Sequence, residues 1–182
     1  MALKSGQLAG LDVPERGIAG VKVWLDKAQA RDSNGSLYVY NPYANDAQAH
    51  GRDVSLPMTS VGLLMRFYTG WNRDNPAMIA GANYLRKSPP SMQNRDTYYW
   101  YYATQVMYHM GGEYWDEWNR KLHPLLIESQ IKQGQLGGSW DPAYPVRDKW
   151  AAHGGRLYVT ALNLLSLEVY YRHLPLYEEA SK

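Results

Sequence analysis

The sequence predicts an all-α fold built from helical hairpins. Two repeat patterns and the placement of glycine and proline carry that prediction. The first pattern appears when LKSGQLAGLDVPERGIAGVKVWLDKAQ, LLMRFYTGWNRDNPAMIAGANYLRK and QVMYHMGGEYWDEWNRKLHPLLIESQ are aligned on Gly10, Gly70 and Gly112. Fifteen residues beyond these glycines stand Leu25, Leu85 and Ile127, preceded by Trp24, Tyr84 and Leu126. Glycine accepts the left-handed backbone that closes a helix, and proline suits the first turn of the next, so Pro14 and Pro76 are expected to open second helices. The second pattern is TSVGLL from Thr59, YATQVM from Tyr102 and TALNLL from Thr160, with starts 43 and 58 residues apart. That is the spacing of helix-pair repeats joined by loops of unequal length.

Taken in order, these signals give three helix pairs followed by a single helix over about 157–172. A matching start before Thr59 would fall ahead of Met1, so the first helix is expected to lack its beginning and residues 1–182 to form one repeat domain of a longer parent chain. Between pairs lie polar loops at about 30–56 and 134–156, longer than a compact domain usually leaves unstructured, which points to function or to lids. An Asn34-Gly35 turn is expected to lead a short extended piece in NGSLYVY.

Composition narrows the chemistry. A formal charge of +2, with Lys and Arg scattered among acids, gives no basic stripe for nucleic acid. The absence of Cys excludes disulfides, thiolate zinc sites, a cysteine nucleophile and an internal thioester. No apolar run approaches the roughly 18 residues of a membrane span, and MALKSGQLAG lacks the apolar core of a signal peptide. Sixteen Tyr and seven Trp stand against one Phe, so nearly every ring carries a polar group that wants a partner when buried.

The segment LLIESQIKQGQLGGSWDP resembles the repeat motif of the squalene cyclase and protein prenyltransferase superfamily, in which a helix ends in Gln and a loop with Gly-x-Trp follows. Gln133, Gly138 and Trp140 fit the pattern, with Gln130 as an alternative Gln. WLDKAQARDSNGSLYVY resembles a degenerate copy that keeps Gln29 and Gly35 and has Leu37 where Trp would stand, while YLRKSPPSMQN has lost the motif. The resemblance implies an α/α-toroid segment of about three and a half hairpins, an incomplete ring. It also implies a reinforcing role for the motif, the indole stacking on a neighbouring helix end and the Gln amides bonding loose helix-end groups.

The superfamily's chemistry does not carry over. There is no Asp-x-Asp-Asp cluster, Asp116-Glu117 being the nearest acidic pair, and no Cys to complete a zinc set. No cofactor and no metal are implied. His50, His123, His153 and His173 show no metal-ligand spacing. A half ring would leave inner faces open, to be covered by the rest of the parent chain or by a second copy.

The strongest local signal is DTYYWYYATQ. A helix over 97–110 places Tyr98, Tyr101, Tyr102, Gln105 and His109 near one face, with Trp100 pointing elsewhere. One reading packs these rings between helices. The other makes Asp96, Tyr98, Trp100, Tyr101, Tyr102, Gln105 and His109 the wall of a cavity for a hydrophobic small molecule such as an isoprenoid or other lipid. Asp96 is expected to cap the helix or, on the second reading, to face that cavity as an acid. Two functions follow: a non-catalytic, partner-binding module, or part of a terpenoid-cyclase-like enzyme or lipid pocket.

Overall fold

The computed structural model of the chain describes residues 1–172, and these are all-α. The helices are α1 (Ala2–Leu8), α2 (Glu15–Lys27), α3 (Leu56–Tyr68), α4 (Pro76–Arg86), α5 (Thr97–Met110), α6 (Gly112–Ser129), α7 (Ala151–Leu167) and α8 (Val169–Arg172). The glycine punctuation holds. Gly10 and Gly70 take φ of 73° and 112° after α1 and α3, and Gly111, one residue ahead of the aligned Gly112, takes 69° after α5. Pro76 opens α4, whereas Pro14 caps α2 from just outside it. α7 begins earlier than the sequence pattern implies, but Gly155 at φ 60° breaks it, and the regular part starts beyond that glycine. His173 lies outside the described residues. The NGSLYVY piece is not a strand: it makes two isolated bridges, Gln29 with Tyr38 and Val39 with Val54.

The chain divides into two compact units, the first covering Met1–Tyr84 and the second beginning at Leu85. In the first, α3 is the buried element. Ser55 caps it, accepting from the Met58 N–H, and Leu63, Leu64 and Phe67 form an apolar row with Arg66 beside them. The polypeptide approaches closely at two glycines. A Cβ on Gly62 would stand 2.3 Å from the Tyr38 ring, and one on Gly81 of α4 would stand 2.6 Å from the Ser36 carbonyl.

In the second unit α5 is the centre, packed against α6, α7 and α8. Eleven of its fourteen residues are buried, which is why its apolar pattern runs around the helix instead of along a stripe. Trp118 of α6 donates from Nε1 to the Thr104 hydroxyl at 2.9 Å and meets the Tyr99 ring edge-on. The Tyr99 hydroxyl in turn donates to the carbonyls of Ser88 and Leu85, at 2.8 and 3.2 Å. The Trp118 and Tyr99 rings are therefore both matched at their polar ends.

Candidate functional site

The motif loop is built as a bracket. After α6 the chain folds back so that the Ile131 N–H donates to the Ser139 carbonyl, and Trp140 enters the core with no exposed surface. Its indole N–H donates to the carbonyl of Leu126, a helix-end acceptor, at 2.9 Å, and its backbone N–H donates to the Thr160 hydroxyl at 3.2 Å. The indole, with the Ser129 hydroxyl and the Lys132 ammonium, and not a Gln amide, satisfies the helix end. Gln130 closes the loop by donating to the Gly138 carbonyl at 2.9 Å, while Gln133 stands exposed. Gly138 has φ of 85°, the left-handed backbone that favours glycine.

The degenerate copy in the first unit has the same bracket, and here the structure corrects the alignment. The Ala30 N–H donates to the Leu37 carbonyl, so Leu37 matches Ser139, and the buried ring in the tryptophan position is Tyr38. The loop is one residue shorter between its bridge points, which is why a gap-free alignment lands on the wrong residue. The Tyr38 N–H donates to the Thr59 hydroxyl at 3.2 Å, and Arg66 Nε donates to the Tyr38 hydroxyl at 2.9 Å. Arg66 is 4% exposed, pairs with Asp26 at 2.6 Å and lies over the Trp71 ring at 4.6 Å. Burial holds the Tyr38 hydroxyl above the usual tyrosine range against the pull of Arg66. Gln29 and Gly35 meet here too: a Cβ on Gly35, at φ 84°, would stand 3.2 Å from the Gln29 amide nitrogen.

The proposed wall on α5 is mostly packed. Trp100, Tyr101, Gln105 and His109 are buried, and Gln105 donates to the Tyr101 carbonyl at 3.2 Å. His109 sits against the Tyr108 ring. Tyr98 and Tyr102 remain half-exposed, their ring centroids 4.8 Å apart. Burial raises the Tyr102 hydroxyl, and burial followed by the nearby Asp148, Asp96 and Tyr102 raises that of Tyr158, so these tyrosines stay neutral.

Asp96 caps α5, accepting from the Tyr99 N–H at 3.0 Å. Burial lifts its carboxyl above the usual range, partly offset by that N–H and by Lys149, whose Nζ stands 3.5 Å away. Asp148 adds a second tie that the sequence did not reveal, accepting from the N–H groups of Thr97 and Trp150 at 2.9 Å each. Arg95, 4% exposed, donates to the carbonyls of Tyr144 and Val146. The charged groups at the start of α5 thus bind the 141–150 loop to the helix. Among the described residues no cluster of three or more His, Asp or Glu could hold a metal ion, and no helix is long and apolar enough to cross a membrane.

An apolar hollow lies elsewhere, in the first unit. A groove of about 850 Å³ runs between α2 and α3, floored by Gly17, Gly20 and Val21, walled by Met58 and Met65, and rimmed by Trp24 and Tyr40. Trp24 and Tyr40 are 47% and 70% exposed, and none of the residues lining the groove is charged. A smaller hollow of about 640 Å³ near Pro90, Met92 and Pro124 is flanked by Arg120 and Lys121. The sequence held a signal for the groove: Gly17, Gly20 and Trp24 share a helix face three and four residues apart.

Comparison with known protein families, curated proteins and solved structures gives no significant match.

Proposed function

We propose that this chain is a non-catalytic, partner-binding module of helical-hairpin repeats, of the kind found in the squalene cyclase and prenyltransferase superfamily, and that its binding face is the α2–α3 groove. One observation carries the reading. The groove is open, apolar and uncharged, while the acids nearest the tyrosine helix are engaged in holding a loop. An exposed apolar surface of this kind marks an interaction site. The support from the superfamily is the Gln130, Gly138 and Trp140 loop and its counterpart around Tyr38.

A second reading, an isoprenoid or other lipid held in the same groove, is favoured by the volume, which falls within the usual range of roughly 300–1,000 Å³ for small-molecule sites. Native mass spectrometry with denaturing extraction separates the two, because a lipid in stoichiometric amount supports the second reading alone.

The groove itself is tested with the apolar dye anilinonaphthalene sulfonate at low protein concentration. Dye emission is expected to rise with the wild-type chain and to fall back with Gly20→Trp. That variant should fold, since nothing lies within 4 Å of a Cβ at Gly20. Equal emission from both proteins would remove the groove as the binding face.

A further inference from the structure

We propose that Asn34-Gly35 is a self-modifying site, where the Asn34 side chain is converted without an enzyme to aspartyl and isoaspartyl forms, and that the isoaspartyl form loosens the loop that seats Tyr38. The step is independent of the binding reading above.

The turn leaves the two reacting groups free. Asn34 and Gly35 take φ of 48° and 84°, and the Ser36 N–H donates to the Ser33 carbonyl at 3.0 Å, which is a tight turn with two left-handed central residues. The Ser36 hydroxyl donates to the same carbonyl at 2.7 Å, and that of Ser33 to the Ala30 carbonyl at 2.8 Å. Among the described residues the exposed Asn34 amide has no hydrogen bond, and the Gly35 N–H donates to nothing.

No other asparagine combines these features, and none but Asn34 is followed by glycine, which has no side chain to shield the nitrogen that attacks. Asn41 and Asn75 precede proline, whose nitrogen carries no hydrogen. Asn45 and Asn72 are held by the backbone N–H groups they accept from. Asn83, Asn119 and Asn163 lie inside helices, and Asn94 is followed by the bulky Arg95.

The chemistry consumes only water. The Gly35 nitrogen bonds to Asn34 Cγ, its proton passing by way of water to the departing group, while the Cγ–Nδ2 bond breaks and ammonia leaves. A five-membered imide results. Water then opens it at either carbonyl: attack at Cγ gives aspartate, and attack at the Asn34 backbone carbonyl gives isoaspartate, with the chain running through Cβ and Cγ.

The loop has little room for that extra backbone carbon. The Ala30 N–H donates to the Leu37 carbonyl and the Val39 N–H to the Ala28 carbonyl, each at 2.9 Å, so both ends of the loop are pinned. Between the pins Gly35 is packed so closely that a Cβ would stand 3.2 Å from the Gln29 amide nitrogen and 3.3 Å from the Trp71 ring. Tyr38, Val39 and Tyr40, just beyond, line the α2–α3 groove, so a loosened loop reaches that face.

Storage of the folded full chain in mildly alkaline buffer tests this. Peptides covering each asparagine are followed by mass spectrometry, and isoaspartyl methyltransferase with labelled S-adenosylmethionine marks the isoaspartyl form. Conversion is expected at Asn34 at a rate roughly tenfold or more above that of any other asparagine. It should be lost in Asn34→Gln, whose longer side chain would have to close a larger ring. The new carboxylate lets the converted chain be separated by ion exchange, and in its isoaspartyl fraction the Ala30 and Val39 N–H groups should lose hydrogen-exchange protection. An Asn34 that stays intact, equal rates at other asparagines, or an isoaspartyl signal undiminished in Asn34→Gln would overturn the site. Unchanged protection at Ala30 and Val39 in the isoaspartyl fraction would overturn the effect on the loop. Neither readout depends on the groove binding anything.

Discussion

The loop ending in Tyr38 and the loop ending in Trp140 have the same backbone bracket and opposite chemistry at the ring. Both residues are essentially unexposed, and both donate their N–H to a threonine hydroxyl at 3.2 Å. The indole can only donate, so it is matched to a carbonyl at the end of α6, where it joins the Ser129 hydroxyl as a second donor. The phenol can accept, and the first unit supplies a buried arginine, itself neutralised by Asp26. The Tyr38 ring also lies directly on Gly62, whose place in the repeat is taken by Asn163 in the second unit. A repeat can therefore keep its backbone hydrogen bonds while the ring recruits a different polar neighbour. The identity of that neighbour is what sequence similarity loses first.

Substitutions can break or sharpen this contrast. The largest effect is expected from Trp140→Ala, which empties a fully buried aromatic site and should cost about 3–5 kcal/mol by chemical denaturation. An unchanged unfolding midpoint would show that the bracket does not depend on its ring.

Gly62→Ala should cost about 1–3 kcal/mol, because the added methyl overlaps the Tyr38 ring. The same change at Gly20, where a Cβ meets nothing, should not destabilise α2. Equal losses at the two glycines would argue against close contact at Tyr38.

Tyr38→Phe leaves Arg66 without the hydroxyl it bonds, at a cost of about 1–2 kcal/mol. Arg66→Met in the same background should then be milder than Arg66→Met alone, a coupling read by a double-mutant cycle.

The smallest expected effect separates the loops by pH. The Ala143 N–H first, and then Arg156, hold the Asp141 carboxyl below its usual range. Its contribution is present above the ordinary aspartate value and is lost as pH falls through the depressed one. Burial holds Tyr38 above its usual value. That contribution is complete below about pH 10 and is lost as pH rises through the raised value. Hydrogen-exchange protection should therefore fail first near Ala143 in acid and near Tyr38 in alkali. Failure of both loops at the same extreme would erase the distinction.

Much of the architecture could be read directly from the chain. The helix over 97–110, its Asp96 cap, the glycines closing α1 and α3, and Pro76 opening α4 all rest on local rules that act within one turn of backbone. The burial of Trp140 was legible from its motif. The expected wall on α5 was legible only as a helix face. Which of its rings would be covered depended on α6 and α7, and those helices left only Tyr98 and Tyr102 half-open. Tyr38 was missed because a one-residue shortening shifts the register, and Arg66 because its partners lie 28 and 40 residues away in sequence.

The sequence by itself determined the helices and the turns between them, because capping, glycine φ and proline geometry are decided by near neighbours. Only the tertiary structure decided which polar group meets each ring, that the charges at the start of α5 secure a loop, and that the open apolar surface lies between α2 and α3. Those outcomes depend on groups brought together from distant parts of the chain, where burial determines which hydrogen bonds must be satisfied.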